Sequence, residues 1–312
     1  MRPLTAAEIT GVWATPLLNV DAAGRPRPDG LSEQIDYFAS VGVDGVYSHG
    51  TAAEFHGQSE ADFRRVCSIV ADRAAAADLP FQIGATHPFA RETLNRIRFA
   101  RSLAPSAIQI ILPDWVPVDL RVARRFLQGC IEAADGIGLV LYHPPHAKRV
   151  FAPADLVTLL DNQPGMVGLK CAGGDADWYA SMQPLLAQLS VFIPGHFMAS
   201  GMAAGARGSY SNVCCLNPAA TVRWRDQIRT DPAGALELER RICRFMNQAI
   251  APFISGGYPG YACDKFLARI GGWTDLSTDL VWPYLGIPET YLSEVRAVAQ
   301  DLLPEFFDAS AG

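Results

Sequence analysis

Short apolar runs alternate with longer amphipathic segments over the first two thirds of the chain. The runs fall at residues 12–17, 45–49, 81–86, 107–112, 138–143, 166–170, 190–194 and 208–213. Each is nearly all apolar and ends near Gly, Pro or a polar residue. Continuous runs of this kind suit parallel strands buried on both faces. Between them, residues 31–41, 60–77, 90–103, 120–134 and 153–162 carry apolar side chains at three- and four-residue spacing, which predicts helices. Ser59-Glu60-Ala61-Asp62 reads as a capping box with Asp in place of the commoner Glu. Pro153 stands near a first helical turn.

Eight strands alternating with helices predict one (β/α)8 barrel. A doubly wound open sheet is the structural alternative, but no Gly-x-Gly-x-x-Gly follows the first strand. After Asn217-Pro218 the strands stop, and segments such as 231–251 and 290–307 read as helices. The expected organisation is a barrel over residues 1–220, carrying the active site, and a helical region over 221–312 packed on it. No repeat or low-complexity tract interrupts it.

Composition changes this picture little. The chain has 312 residues, 49% hydrophobic and 19% charged, with a formal net charge of −6. A chain of this size buries about three quarters of its unfolded surface and needs no disulfide or metal for stability. It has no basic run to bind phosphate backbones, which argues against nucleic acid. Seven cysteines without a Cys-x-x-Cys read as reduced, buried thiols. The N-terminus lacks the apolar core of a secretion signal, and no stretch reaches the ~20 apolar residues of a membrane span. The expectation is a cytoplasmic protein.

In such barrels the chemistry sits where strands end and loops begin. Those positions carry Thr15, Ser48-His49-Gly50-Thr51, Thr86-His87, Asp114-Trp115, Tyr142-His143, Lys170, Gly195-His196 and Ser209-Tyr210-Ser211-Asn212. Lys170 ends the run Met166-Val167-Gly168-Leu169. A buried ammonium is costly, and one resolution is a lowered pKa, which yields a nucleophilic amine. The plainer resolution is a lysine that snorkels to water or pairs with a carboxylate.

Four ordered motifs favour the first. Val167-Gly168-Leu169-Lys170, Leu139-Val140-Leu141-Tyr142-His143-Pro144-Pro145, Gly50-Thr51-Ala52-Ala53-Glu54 and Ala14-Thr15-Pro16 stand at spacings that resemble the dihydrodipicolinate synthase/N-acetylneuraminate lyase family. Gly205-Ala206-Arg207-Gly208-Ser209-Tyr210-Ser211-Asn212, with Pro218 beyond, extends the likeness, which covers roughly residues 9 to 220. The resemblance implies a class I aldolase. Lys170 would attack the C2 carbonyl of pyruvate or a longer 2-oxo acid, and the iminium would act as electron sink. Tyr142 would shuttle protons. The Gly50 to Ala53 turn would offer N–H groups and the Thr51 hydroxyl to the substrate carboxylate. Thr15, Ala52, Trp115, His143, Gly195, His196 and Tyr210 would line the substrate site, and Glu54 would be structural. No cofactor or metal is implied, and a homo-oligomer, dimer or tetramer, is expected by resemblance.

The departures narrow the substrate. The family's second threonine is Ala52 here and its glycine is Ala53, so one hydroxyl contact is lost. Trp115 stands where the synthases carry a tyrosine of a proton relay, and an indole has no hydroxyl. The synthases' arginine after the strand-five tyrosine has no counterpart at the same spacing. Lys148 or Arg149 would serve only in a loop of different length. Dihydrodipicolinate synthesis is therefore disfavoured. Trp115 also resembles the hydratase-aldolase branch, where an aromatic wall suits a less polar aldehyde.

Six histidines, His49, His56, His87, His143, His146 and His196, admit a rival reading as a metal-dependent barrel hydrolase. The two prolines in His143-Pro144-Pro145-His146 prevent helical i,i+3 geometry. A non-catalytic binding barrel would need Lys170 idle, against the retained Tyr142. Within the enzyme reading, aldol cleavage or condensation competes with dehydration of a 3-deoxy-2-oxo sugar acid through the same enamine.

Overall fold

The computed structural model describes residues 1–210 and 212–307. Its parallel strands are β1 (Gly11–Ala14), β2 (Gly45–Ser48), β3 (Phe81–Gly84), β4 (Ala107–Ile111), β5 (Leu139–Tyr142), β6 (Met166–Lys170), β7 (Ser190–Pro194) and β8 (Gly208–Tyr210). Each pairs with its neighbours in sequence, and β8 closes back on β1 with Trp13 opposite Tyr210. This is the expected (β/α)8 barrel.

Helices follow the strands because their apolar stripes need the outer face of the barrel. Leu120–Ala134 shows the rule: Ala123, Leu127, Cys130, Ala133 and Ala134 are buried, and Asp119 caps the first turn through the Val122 N–H. Burying one leucine of this kind contributes about 1.5–3 kcal/mol. Both halves of the Ser59/Asp62 capping box form at the start of Glu60–Ala76, and Pro153 opens Pro153–Leu160. The barrel's own interior is filled by Ile9, Trp13, Tyr47, Ala107, Val140, Phe192 and Tyr210.

Several boundaries differ from the expectation. The eighth strand stops at Tyr210 rather than at 213: Asn212 turns the chain at φ 27°, and Val213–Leu216 is a short helix. Ser211 lies outside the described residues. A small antiparallel hairpin, Asn19–Val20 with Pro26–Arg27, had no signal in the pattern. The segment expected as one helix at 231–251 is Pro232–Phe245, a π-helical stretch Met246–Ile250, then Ala251–Ser255. Pro252, in the first turn of the last piece, has no N–H for a continuous ladder. Pro218–Thr230 packs on β1 and on the first helix, Leu31–Val41, and residue 220 falls inside it.

All seven cysteines are free, six of them buried. Among the described residues, no helix is long and apolar enough to cross a membrane.

Candidate active site

Tyr142 and Lys170 are the last residues of β5 and β6, and the strand register pairs them directly. Two short apolar strands thus bring a phenol and an amine side by side at the barrel mouth. Lys170 Nζ lies 4.3 Å from the centre of the Tyr142 ring and 4.8 Å from those of Tyr47 and Tyr210. Ring faces support a positive charge without accepting a conventional hydrogen bond. Burial lowers the Lys170 pKa from 10.5 to about 8, while Asp264 and Cys215 pull it the other way. Roughly a tenth of this lysine is therefore free amine at pH 7, against far less than a hundredth for an ordinary lysine.

Burial pushes the Tyr142 phenol up to about 12, against the nearby Thr51 hydroxyl, which favours the phenolate. That hydroxyl approaches Tyr142 without meeting full hydrogen-bond geometry, and Thr51 Oγ1 is a buried donor with no other partner among the described residues. Thr15 Oγ1 is likewise buried and has no hydrogen-bond partner among the described residues. Both are available to an incoming polar group.

The turn after β2 is a single 3-10 turn, Thr51–Ala53. Ala53 and Glu54 donate their N–H groups back to Gly50 and Thr51. The first N–H groups of such a turn have no internal acceptor. Gly50 is required here, since a Cβ would meet the Tyr47 ring at 2.8 Å. Beneath the turn lies a closed polar network. Gln58 Nε2 donates to the Ala53 carbonyl (2.8 Å), so its Oε1 accepts from His49 Nε2 (3.0 Å). His49 Nδ1 then faces Ser48 Oγ at 2.9 Å. Burial, helped by Arg96, holds the His49 pKa down at about 3, so this imidazole is neutral.

Sequence reasoning passed over Asp264. It sits on the helix Gly260–Gly271, half-buried beside Lys170. Burial raises its pKa to about 6, while Lys170 and the Asn212 backbone N–H favour the carboxylate. The two groups feel each other without closing a contact ion pair. Its neighbour Lys265 does close one: Nζ meets Glu54 Oε1 at 2.6 Å, with neither side chain exposed. Lys265 also donates to the Asp279 carbonyl, and Glu54 accepts from the Val281 N–H. Glu54, expected to be structural, thus ties the Thr51–Ala53 turn to the helix that carries Asp264. The available signal was an Asp-Lys pair set in a helix whose other residues are mostly buried.

The remaining residues divide. Tyr210 presents its ring to Lys170 because its hydroxyl is bonded to Gln82. Ala52 is buried in the turn, and Gly195 is buried at the start of the 3-10 turn Gly195–Phe197. His196 Nδ1 lies 2.7 Å from Asn212 Nδ2, whose Oδ1 accepts from the Val213 N–H. That amide orientation makes Nδ1 the acceptor and puts the proton on Nε2. Burial lowers the His196 pKa to about 4.

His143 faces its own loop: its Nε2 accepts from the Phe151 N–H at 3.0 Å. Trp115 stands open to solvent on the loop after β4. Its side chain is 81% exposed, with Lys148 Nζ 4.5 Å from the ring centre and 2.9 Å from the Trp115 carbonyl. Arg149 lies over the Phe151 ring and faces Asp155. His146 interacts with Asp114, Lys170 and His56, so the loop after β5 reaches over the amine. Among the described residues, no group of three or more His, Cys, Asp or Glu side chains is arranged to hold a metal.

Known proteins share this architecture and chain length. Over 307 residues the chain is 25% identical to an N-acetylneuraminate lyase of Salmonella paratyphi B, covering 96% of this chain and 99% of that relative. It is 24% identical, with the same coverage, to an N-acetylneuraminate lyase of Escherichia coli O1:K1. Among solved structures, YagE of E. coli K12, a dihydrodipicolinic acid synthase family protein in complex with pyruvate, superposes with a TM-score of 0.82 at 20% identity, over 94% of this chain and 98% of that one. The sialic acid aldolase of Ruminococcus gnavus, in its catalytic lysine mutant, gives a TM-score of 0.81 at 22% identity, over 98% and 100%. The model of the dihydrodipicolinate synthetase family matches residues 8–258. The chain is therefore a member of that family and an enzyme, a lyase of the class I aldolase type that works through a lysine imine.

Proposed function

We propose that Lys170 is the imine-forming lysine and that the enzyme cleaves or forms the C3–C4 bond of a 2-oxo acid, with pyruvate as one product or substrate and an aldehyde as the other. The observation that carries this reading is the Lys170 amine, paired in register with Tyr142, ringed by three aromatic faces and lowered to about pH 8 in pKa. An amine of that pKa attacks a carbonyl near neutrality, whereas an ordinary lysine is almost wholly protonated.

The other roles follow from position. The carboxylate of the 2-oxo acid would take the Thr51 hydroxyl and the free N–H groups of the Thr51–Ala53 turn. Its negative charge there would be desolvated, which strengthens charge-assisted hydrogen bonds. Tyr142 would carry a proton between the amine and the substrate oxygen. His196, neutral with its proton on Nε2, would donate to a hydroxyl further along the substrate. Without a second threonine at Ala52, the carboxylate grip relies more on the backbone.

Trp115 and Val116 are 81% and 69% exposed on the rim. Exposed apolar rim residues support an assembly of two or four copies, which light scattering would measure.

Product analysis tests the reaction. Wild-type enzyme is incubated with a panel of 2-oxo acids, and the products are identified by mass. Release of pyruvate with an aldehyde is expected. Loss of one water without C–C cleavage would replace the aldolase reading by dehydration. No turnover of any member, with the same result for Lys170→Ala, contradicts both.

A further inference from the structure

We propose that Asp264 is a third catalytic residue: it takes a proton from the Lys170 ammonium as substrate arrives, returns it to the departing hydroxyl, and then stands as counter-ion to the iminium. This deepens the imine reading and rests on it.

The geometry comes from how the helix Gly260–Gly271 is held. Lys265, the next residue, is clamped by Glu54 and the Asp279 carbonyl, so the helix has little freedom to rotate against the barrel. The helix packs on Val213–Leu216 and on the Thr51–Ala53 turn, and the Asn212 N–H donates to the Asp264 carboxylate. From the strands it is faced by Lys170 and Tyr142, from the helix Val213–Leu216 by Cys215, and on its own helix by Cys263. Lys170 is also faced by His146. Lys170 is the one cation in that set besides a protonated His146, and both thiols have raised pKa values and stay neutral. The carboxylate influences the amine without closing a contact ion pair on it, so the amine is not sealed against a substrate.

The proton count closes without another reagent. The ammonium gives one proton to the carboxylate, leaving a neutral amine and a carboxylic acid. The amine nitrogen attacks C2, and the carbonyl π electrons move to oxygen. Tyr142 relays a proton from that nitrogen to the oxygen, giving the carbinolamine. The Asp264 acid then protonates the hydroxyl, the C–O bond breaks, and water leaves. The nitrogen lone pair forms the C=N bond. Ammonium plus ketone have become iminium plus water, and Asp264 is again a carboxylate beside a cation.

The test uses pyruvate and borohydride with the full-length enzyme. The rate of stable adduct formation on Lys170 is followed across pH. Wild type should give a bell with limbs near 6 and 8, the two groups titrating as a coupled pair. Asp264→Asn should slow trapping on the order of 10²-fold. It should lose the limb near 6, and the lysine titration should fall below 8 and appear as a rise in rate with pH, because the carboxylate no longer supports the ammonium or takes its proton. Asp264→Glu should restore part of the rate. A folded Asp264→Asn that traps at the wild-type rate with both limbs overturns the role and leaves Lys170 in place. A wild-type profile without a limb near 6 also overturns it, whether or not the variant folds. Failure of wild type to form any adduct overturns the imine reading and this proposal with it.

Discussion

Two lysine–carboxylate pairs lie within one helix's reach of each other and behave oppositely. Glu54 and Lys265 are fully buried, in contact at 2.6 Å, and each has a further backbone partner. Asp264 and Lys170 sit in the same wall, yet make no contact pair, and their pKa values converge to about 6 and about 8. The first pair is closed in contact and holds the helix to the turn. The second pair, on our proposal, keeps its proton mobile. A barrel can place a reactive lysine beside an acid only if something else fixes that acid, and adjacency in sequence of Asp264 and Lys265 achieves this on one helical turn.

The contrast can be broken from either side. The largest effect belongs to Lys170→Met, which should reduce turnover by at least about 10³-fold, since the covalent route is gone. Steady-state kinetics on the 2-oxo acid found by product analysis would measure it. Lys265→Met removes one partner of a buried pair and should cost about 3–5 kcal/mol of stability, read by chemical denaturation. Tyr142→Phe keeps the ring over Lys170 but loses the hydroxyl. It should lower kcat on the order of 10²-fold while leaving the fold intact, seen as normal circular dichroism with slowed turnover.

A smaller effect sharpens the comparison through pH. The folded pKa of Lys170 is depressed, so holding it as an ammonium costs stability below about 8, and the cost fades as pH rises towards 10.5. Lys170→Met should therefore melt about 2–4 °C higher than wild type at pH 7. That advantage should shrink as the pH is raised through this window, as thermal scans would record. No such gain is expected for Lys265→Met. The smallest change is Trp115→Ala, an exposed rim residue that should alter monomer stability by at most about 0.5 kcal/mol, measured by the same denaturation.

How much of this was legible follows from burial. The eight strands could be read because parallel strands buried on both faces leave continuous apolar runs. Lys170 stood out as the one cation ending such a run, and Tyr142 as its partner. Asp264 did not stand out, because a helical Asp-Lys dipeptide ordinarily marks a solvated face. Only tertiary packing turns Asp264 towards β6 and Lys265 towards Glu54. The eighth strand was drawn too long because Asn212 adopts a left-handed turn that the apolar Val213-Cys214-Cys215 run concealed. Trp115 was expected at the substrate because an indole after a strand end suits a pocket wall. The loop instead carries it outward under Lys148.

The two lysines also give the most direct measurement. Wild-type enzyme is incubated with pyruvate, reduced with borohydride, digested, and mapped by peptide mass. The account predicts one stable adduct, on Lys170, with Lys265 and Lys148 unmodified. An adduct on another lysine, or none with pyruvate or with any longer 2-oxo acid, would contradict it.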